Sequence, residues 1–223
     1  FMGVPKTIDN DLPITDHCPG YGSAAKYIAT SLKEVIRDNS SFGVEKPTIL
    51  IVEIMGRNAG WLAAAAALAK DVDCEGVDAI YLPERTFDMD AFMAKVKDLA
   101  ARKSSVVMVV SEGIKVADGR YVCELVNADV AVDAFGHKQM SGTAAYLAQE
   151  IAAETGLKTR AIEFSTLQRA ATHLASLTDI NEAFQVGYDA LLAAEEGKTG
   201  MMITLDRNGD DPYQCGTSAY DIH

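Results

Sequence analysis

Short apolar runs alternate along the chain with longer segments whose apolar residues recur every three or four positions. The short runs predict strands, and the run 105–111, Ser-Val-Val-Met-Val-Val-Ser, is typical of a strand buried on both faces. The longer segments predict amphipathic helices. Because strands and helices alternate throughout, the sequence indicates an α/β fold with largely parallel sheets.

The predicted elements cover most of the chain. Strands are predicted at 1–4, 48–52, 79–82, 105–111, 158–164 and 201–205. Helices are predicted at 24–40, at 61–70, after a cap at Asp88 or Asp90, at 142–154 and at 181–196. The inner face predicted for the last helix consists of Ala183, Phe184, Gly187, Leu191 and Leu192. We expect 206–212 to be a polar tail and 115–140 to be irregular, with a short hairpin or lid around 121–123.

The composition is that of a globular protein, with 48% hydrophobic and 23% charged residues among 223. This length allows one large domain or two small ones. The net charge of −12 argues against a general nucleic-acid binder, so an anionic substrate would need a local group of arginines and lysines. No apolar run is long enough to cross a membrane, and we expect a cytoplasmic location.

The cysteines and histidines are dispersed along the chain. Neither set has the spacing of a metal site, so the sequence predicts reduced thiols and no metal-binding residues. The residues concerned are Cys18, Cys74, Cys123, Cys215, His17, His137, His173 and His223.

The densest polar chemistry follows the first predicted strand, where residues 5–11 read Pro-Lys-Thr-Ile-Asp-Asn-Asp. Loops that follow strands commonly carry the chemistry of α/β proteins. Asp9 could accept a proton from a hydroxyl, Asp11 could orient that hydroxyl or face a metal ion, and Lys6 could meet an anion. The alternative is an Asp/Asn turn whose side chains cap backbone amides. The spacing alone leaves both interpretations open.

Three further polar motifs follow predicted strands: Met55-Gly56-Arg57, Ser111-Glu112-Gly113 and Gln168-Arg169. The glycines that precede the helix predicted at 61–70 suit the approach of a phosphate to backbone amides. Gly60 has an alternative role, in which it only allows tight packing between helix and strand.

The stretch 5–11 resembles the P-(G/K)-T-I-D-N-D signature of the phosphofructokinases, which phosphorylate fructose 6-phosphate at its 1-hydroxyl. The three other motifs follow in the order of that family, so the resemblance extends over most of the chain. It implies a phosphofructokinase-like fold and the glycolytic formation of fructose 1,6-bisphosphate. It also implies that 1–20 forms the edge of a phosphoryl-donor domain, 21–172 a sugar-phosphate domain, and 173–223 a return segment toward the donor domain.

The resemblance assigns a role to individual residues. Asp9 is implied to be the catalytic base, with Thr7 on the transferred phosphate and Arg57 on the substrate or the transferring group. Glu112 would take sugar hydroxyls, although a surface or helix-capping role is the alternative. The substrate-binding set implied as a whole is Thr7, Ile8, Asp9, Asp11, Met55, Gly56, Arg57, Glu112, Arg160, Thr166 and Arg169.

Arg160 and Arg169 are implied to hold the 6-phosphate, a task suited to the planar guanidinium group. The chain departs from the family near this pocket. It has Ala170-Ala171 where two glycines are usual, and Thr166 where His or Tyr is common. These departures put the fine geometry of the 6-phosphate pocket in question.

Lys6 bears on the phosphoryl donor. Members that use ATP usually have glycine at this position, whereas members that use pyrophosphate usually have lysine, so the resemblance favours pyrophosphate. The alternatives are an ATP-dependent 6-phosphofructokinase and a non-catalytic sugar-phosphate-binding subunit. Magnesium is implied as cofactor, with ligands mainly in an upstream loop that we do not find here. We therefore expect this sequence to be part of a longer chain and residues 1–223 alone to be inactive. We also expect a homo-oligomer.

Overall fold

A computed structural model describes residues 1–42, 45–125 and 142–223. Its elements form two compact units, and each is described separately. The first unit comprises Phe1–Tyr27 and Arg169–His223, and the second comprises Ile28–Gln168. Strands and helices alternate around a parallel sheet, which confirms the predicted α/β class. The assignment of donor and sugar-phosphate domains stays a prediction, because compactness does not identify a ligand.

The elements are numbered in chain order. The strands are β1 (Met2–Gly3), β2 (Thr48–Ile54), β3 (Ala79–Tyr81), β4 (Ser105–Ser111), β5 (Lys158–Glu163), β6 (Met201–Asp210) and β7 (Tyr213–Asp221). The α-helices are α1 (Tyr21–Ser40), α2 (Trp61–Ala64), α3 (Met89–Arg102), α4 (Thr143–Thr155), α5 (Leu167–Ala170) and α6 (Leu177–Glu195). Short 3-10 helices span Ala65–Ala69, Val122–Leu125 and Thr172–Leu174.

The second unit is built on a four-stranded parallel sheet in the order β3-β4-β2-β5. All seven residues of β2 are buried, as a continuous apolar run between two neighbouring strands requires. Side chains of β2 and β4 pack against α3 and α4 in one core that includes Ile51, Met108, Phe92 and Leu147. The parallel register places Ile54 opposite Ser111 and Glu53 opposite Glu163. The carboxyl ends of β2, β4 and β5 therefore meet at one edge of the sheet.

Several helix boundaries follow from local capping chemistry. Asp88 caps α3 by accepting a hydrogen bond of 2.9 Å from the Ala91 N–H, as the sequence predicted. Gly156 ends α4 in the left-handed conformation at φ +66°, which also confirms the prediction. The helix predicted at 61–70 is shorter, because α2 passes into a 3-10 helix at Ala65.

The first unit has a three-stranded sheet in the order β1-β6-β7, in which β1 runs parallel to β6. Helix α6 packs on this sheet through Val186, Ala190 and Ala193, which contact Ile203 and Leu205. The inner face predicted for this helix is wrong, since Phe184 is 72% exposed. Apolar residues lie on both the buried and the exposed face of α6, and the face with the smaller residues is the one that packs on the sheet.

Two other predictions for the first unit are also corrected. The predicted tail 206–212 belongs to a β-hairpin, in which β6 pairs antiparallel with β7 over Met201–Asp210 and Tyr213–Asp221. The predicted buried strand at the start of the chain is a two-residue strand flanked by Phe1 and Val4, which are both exposed.

Part of the irregular stretch predicted at 115–140 is described. Lys115 bridges Tyr121 in antiparallel fashion, as a short hairpin would, and 126–140 lies outside the described residues. The four cysteines all lie in described ranges and are thiols, as predicted. None of the helices in those ranges combines the length and apolar character that a membrane span needs.

Candidate functional site

A pocket of about 120 Å³ opens at the carboxyl edge of the sheet in the second unit. Parallel α/β sheets bind ligands at this edge, because the loops that leave the strands converge there. Three of the predicted site residues, Met55, Glu112 and Thr166, line the pocket together. The complete lining is Glu53, Ile54, Met55, Glu112, Glu163, Ser165, Thr166 and Gln168.

The loop after β2 turns sharply at Gly56, whose φ is +132°. A Cβ atom there would lie 2.4 Å from the Ala59 carbonyl oxygen, so only glycine suits this turn. The Ser111 hydroxyl donates a hydrogen bond of 2.5 Å to the Gly56 carbonyl. In return, the Gly56 N–H donates to a carboxylate oxygen of Glu112 at 3.3 Å. The ends of β2 and β4 are thus tied together through the predicted motif residues.

Gly113 allows the loop after β4 to approach the loop after β2 closely. A Cβ atom on Gly113 would lie 1.9 Å from the carbonyl oxygen of Arg57 and 2.8 Å from its Cα. The backbone that presents Arg57 therefore rests directly on Gly113. The glycine in the Ser-Glu-Gly motif is explained by this contact, which fixes the position of Arg57.

Gln168 holds the opposite side of the pocket. Its side chain is 3% exposed, accepts a hydrogen bond of 3.2 Å from the Met55 N–H, and donates one of 3.1 Å to the Ser165 carbonyl. It thereby joins the loops after β2 and β5. The sequence analysis noted this glutamine as part of a motif and did not include it among the site residues.

Glu53 is a buried carboxylate that the sequence analysis did not select. It is 4% exposed on β2, and one of its carboxylate oxygens accepts a hydrogen bond of 2.8 Å from the Ala144 N–H at the start of α4. Glu163 accepts one of 3.0 Å from the Gly142 N–H at the same helix end. Burial, and then the charges of Glu163 and Glu112, raise the pKa of Glu53 to about 7, against the lowering effect of the Ala144 hydrogen bond.

We expect the substitution Glu53→Gln to stabilise the full-length protein above pH 7. The folded state holds the Glu53 proton more tightly than the unfolded chain, whose carboxyl titrates near 4.5. The stabilisation that the protonated Glu53 gives the folded state is therefore complete below about pH 4.5 and is lost as the pH rises through about 7. Glutamine cannot ionise, and its side-chain oxygen can still accept the Ala144 N–H. The expected gain at pH 8 is on the order of 2–4 kcal/mol and shrinks toward zero near pH 4.5.

The measurement is urea unfolding of both proteins from pH 4.5 to pH 8. Glu163→Gln is the matched control, since Glu163 meets the same helix end but is exposed, and we expect a much smaller pH-dependent difference from it. An effect of Glu53→Gln that stays constant across this pH range would contradict the titration of Glu53.

The polar loop 5–11 lies in the first unit, and the turn interpretation holds for two of its residues. The Thr7 hydroxyl accepts a hydrogen bond of 3.1 Å from the Asp9 N–H, and the Asn10 side-chain oxygen accepts one of 2.8 Å from the Cys18 N–H. Asn10 adopts a positive φ of 56°. Asp9 is half-buried and Asp11 is exposed. Their neighbours Thr7 and Asn10 hold the loop in shape by accepting hydrogen bonds from backbone N–H groups.

The segment that follows this loop is fastened to α6 and β6. Thr15 accepts a hydrogen bond of 3.0 Å from the Leu205 N–H, and the Asp16 N–H donates one of 2.8 Å to the Leu205 carbonyl. Asp179, which is 6% exposed, accepts hydrogen bonds from the N–H groups of Gly20 at 2.7 Å and Ser23 at 3.0 Å. Asp179 thereby caps the start of α1. The sequence did not point to it.

The structure does not bring all the predicted residues together. Arg160 lies opposite Leu50 in β5, three residues before the strand ends, and its guanidinium group is 3.2 Å from Asp38. The same group lies 4.3 Å from the centre of the Phe42 ring. Its predicted phosphate-binding role stays a prediction, since a phosphate there would compete with Asp38. In the first unit, Lys6 and Arg169 are exposed.

The order of motifs along the chain agrees with a known family. Residues 1–194 match the family described as Phosphofructokinase. The chain belongs to the phosphofructokinase family. It shares 45% identity over 213 residues with pyrophosphate–fructose 6-phosphate 1-phosphotransferase of Xanthomonas campestris pv. campestris (strain B100), covering 96% of this chain and 50% of that relative. The enzyme of the same name from Halomonas elongata is 43% identical over 210 residues, covering 94% and 49%.

A solved phosphofructokinase has the same fold. The pyrophosphate-dependent phosphofructokinase from Marinobacter aquaeolei superposes with a TM-score of 0.83 at 37% identity, covering 99% of this chain and 51% of that one. The chain therefore spans about half the length of the relatives that it matches. The predicted family and fold are both confirmed.

Proposed function

We propose that the protein transfers a phosphoryl group from pyrophosphate to the 1-hydroxyl of fructose 6-phosphate. The observation that carries the proposal is the loop Lys6-Thr7-Ile8-Asp9, intact in a chain 45% identical to a relative named for that reaction. A protein that only bound the sugar phosphate would have no need of a base at the reacting hydroxyl. The formation of fructose 1,6-bisphosphate is a step of glycolysis, and we propose a cytoplasmic location for the protein. We also propose that it is a homo-oligomer.

Phosphoryl transfer needs a base for the attacking hydroxyl, alignment of the reactants, and positive charge around the transferred oxygens. Asp9 would take the proton from the 1-hydroxyl, and the Thr7 hydroxyl would donate to the transferred phosphate. The Thr7 oxygen already accepts from the Asp9 N–H, which holds the two residues in one turn. Arg57, fixed by the contact of its backbone with Gly113, would supply charge to the transferring group.

Magnesium is part of the proposal. This cation prefers oxygen ligands, and Asp11 is the exposed carboxylate of the loop that fits this preference. When bound, magnesium would neutralise charge on the pyrophosphate. We propose that Asp11 faces it and that further ligands come from outside residues 1–223.

The pocket of the second unit suits the hydroxyl groups of the sugar better than its phosphate. Three carboxylates, those of Glu53, Glu112 and Glu163, line it, and a carboxylate accepts hydrogen bonds from hydroxyls but repels a phosphate. We propose that Glu112 accepts from the sugar hydroxyls. The 6-phosphate would bind Arg169, which is exposed, and Arg160 once its contact with Asp38 is released.

The substitution Lys6→Gly tests the choice of donor in the full-length enzyme. If the ammonium group meets pyrophosphate and the side chain fills the space of a nucleotide, the change removes attraction and obstruction together. We expect kcat/KM for pyrophosphate to fall by on the order of tenfold or more, as for a lost charge-assisted contact. Use of ATP should rise. The readout is the ratio of kcat/KM for the two donors at fixed magnesium concentration.

Lys46→Gly is the control, because it removes an exposed lysine from a loop outside the proposed site. An unchanged donor ratio in Lys6→Gly, or a wild-type preference for ATP, would make the ATP-dependent alternative the better one. The absence of turnover with both donors would favour the non-catalytic sugar-phosphate-binding subunit.

A further inference from the structure

Three side chains with metal-binding atoms meet in the first unit, apart from the loop 5–11. They are His17, Glu182 and Cys215, and one nitrogen, one oxygen and one sulfur atom from them lie within 4.8 Å of one another. His17 comes from the segment between β1 and α1, Glu182 from α6, and Cys215 from β7. Within the described part of the chain, no other group of three or more His, Cys, Asp or Glu residues lies close enough together to hold one ion.

The imidazole of His17 is held in a defined orientation. Its Nδ1 lies 3.0 Å from a carboxylate oxygen of Asp16, which leaves Nε2 facing Glu182 at 2.7 Å. A histidine that binds a metal usually donates its other ring N–H to a carboxylate, a backbone carbonyl or a water, and Asp16 can serve as that partner. Glu182 is also oriented, since the Tyr213 hydroxyl donates a hydrogen bond of 2.5 Å to its other oxygen. Both prospective ligands therefore have an outer partner.

An ion pair between His17 and Glu182 accounts for only part of this arrangement. Such a pair has no need of a thiol beside it, and Cys215 brings the third ligand atom on β7. A tetrahedral zinc ion, with bonds of about 2.0–2.3 Å, holds its ligand atoms about 3.2–3.8 Å apart. Small side-chain movements reach that spacing from a group already within 4.8 Å. All three residues are half-buried, which leaves an approach for an ion and a water ligand.

We propose that His17 Nε2, Glu182 Oε2 and Cys215 Sγ bind a zinc ion, with Asp16 and Tyr213 as outer partners. Nitrogen, sulfur and carboxylate ligands together suit zinc, whereas magnesium requires oxygen ligands and retains several waters. The site is therefore separate from the proposed magnesium. The inference goes beyond the proposed phosphoryl transfer and does not rest on it.

The position of these ligands indicates a structural role for the ion. His17 and Glu182 are 165 residues apart in the chain, and the ion would join the segment that follows the loop 5–11 to α6 and β7. A cross-link between distant segments stabilises the folded state when the ion binds only there. We therefore expect zinc to raise the melting temperature of the protein.

The test uses full-length protein freed of metal with a chelator and then titrated with Zn²⁺ or Co²⁺. We expect one Zn²⁺ per chain and a Co²⁺ spectrum with a thiolate-to-metal charge-transfer band. Cys215→Ser should remove that band and weaken Zn²⁺ binding at least tenfold, and His17→Ala should weaken Zn²⁺ binding similarly. Zinc should raise the melting temperature of the wild type more than that of either variant at the same zinc concentration.

Cys74→Ser and His173→Ala are the matched controls, since these residues lie outside the cluster. Both controls should keep the wild-type affinity for Zn²⁺ and the charge-transfer band. The proposal is overturned if the wild type takes up no zinc, or if Cys215→Ser and Cys74→Ser bind it equally. Turnover with pyrophosphate is measured separately, so failure of the zinc site and failure of the proposed function are distinguishable.

Discussion

Asp9→Asn is expected to lower turnover of the full-length enzyme by on the order of 10²-fold or more. Asparagine keeps the shape of the side chain and leaves the hydrogen bond from the backbone N–H of this residue to the Thr7 hydroxyl in place. It cannot accept the proton of the 1-hydroxyl. Because the lost interaction is needed in the transition state, kcat should fall while the affinity for fructose 6-phosphate changes little.

The measurement is steady-state kinetics with pyrophosphate, together with direct binding of fructose 6-phosphate. Asp118→Asn is the control, as it makes the same change at an exposed carboxylate that pairs with Arg120 outside the site. Near-normal turnover in Asp9→Asn would rule out Asp9 as the base. A fall in sugar-phosphate affinity with unchanged kcat would instead make Asp9 a binding residue.

Gly113→Ala is expected to cost about 3 kcal/mol or more of folding free energy, at the upper end of what overpacking costs. The new Cβ atom would lie 1.9 Å from the Arg57 carbonyl oxygen, which belongs to the backbone and cannot rotate away. The loop 55–57 must move as a whole, so the contact that fixes Arg57 is lost. We therefore expect the substitution to lower kcat/KM for fructose 6-phosphate as well.

Urea unfolding of the full-length protein measures this effect. Gly187→Ala is the matched control, because a Cβ atom there meets nothing within 4 Å and the residue lies within α6. Alanine is favoured over glycine inside a helix by about 0.5–1 kcal/mol, so the control should be slightly stabilising. Equal stabilities of Gly113→Ala and the wild type would show that the two loops approach less closely than described.

Elements whose environment is uniform could be predicted from the sequence. All of β2, and all of β4 except Ser105, is buried, so their apolar runs were sufficient evidence. Helix α6 shows the limit of this reasoning. Phe184 and Val186 lie on different faces, and composition does not say which face meets the sheet. The hairpin formed by β6 and β7 was missed because 206–210 and Tyr213–Asp221 include no buried residue, so the sequence there lacks the apolar pattern of a strand on a core.

The candidate site could be predicted only where short motifs carry the chemistry. Met55 and Glu112 follow buried strands, and the parallel register brings them to one pocket. Glu53, Gln168 and Asp179 were missed for a common reason: each is buried and acts on a backbone N–H far away in the sequence. No local pattern reveals such a partner. The spacing of His17, Glu182 and Cys215 likewise carries no signal before the chain is folded.

The first unit is made from two separated parts of the chain, and this arrangement sets an order of events during protein synthesis. Residues 28–168 emerge from the ribosome before 169–223, so the second unit can begin to fold while the first still lacks the larger of its two parts. Strand β1 can pair with β6 only after Met201 and Met202 have been made. The segment that follows Asp9 likewise waits for Asp179 and Leu205. The proposed base is therefore synthesised before the second unit, yet its surroundings are complete only after 169–223 have been made.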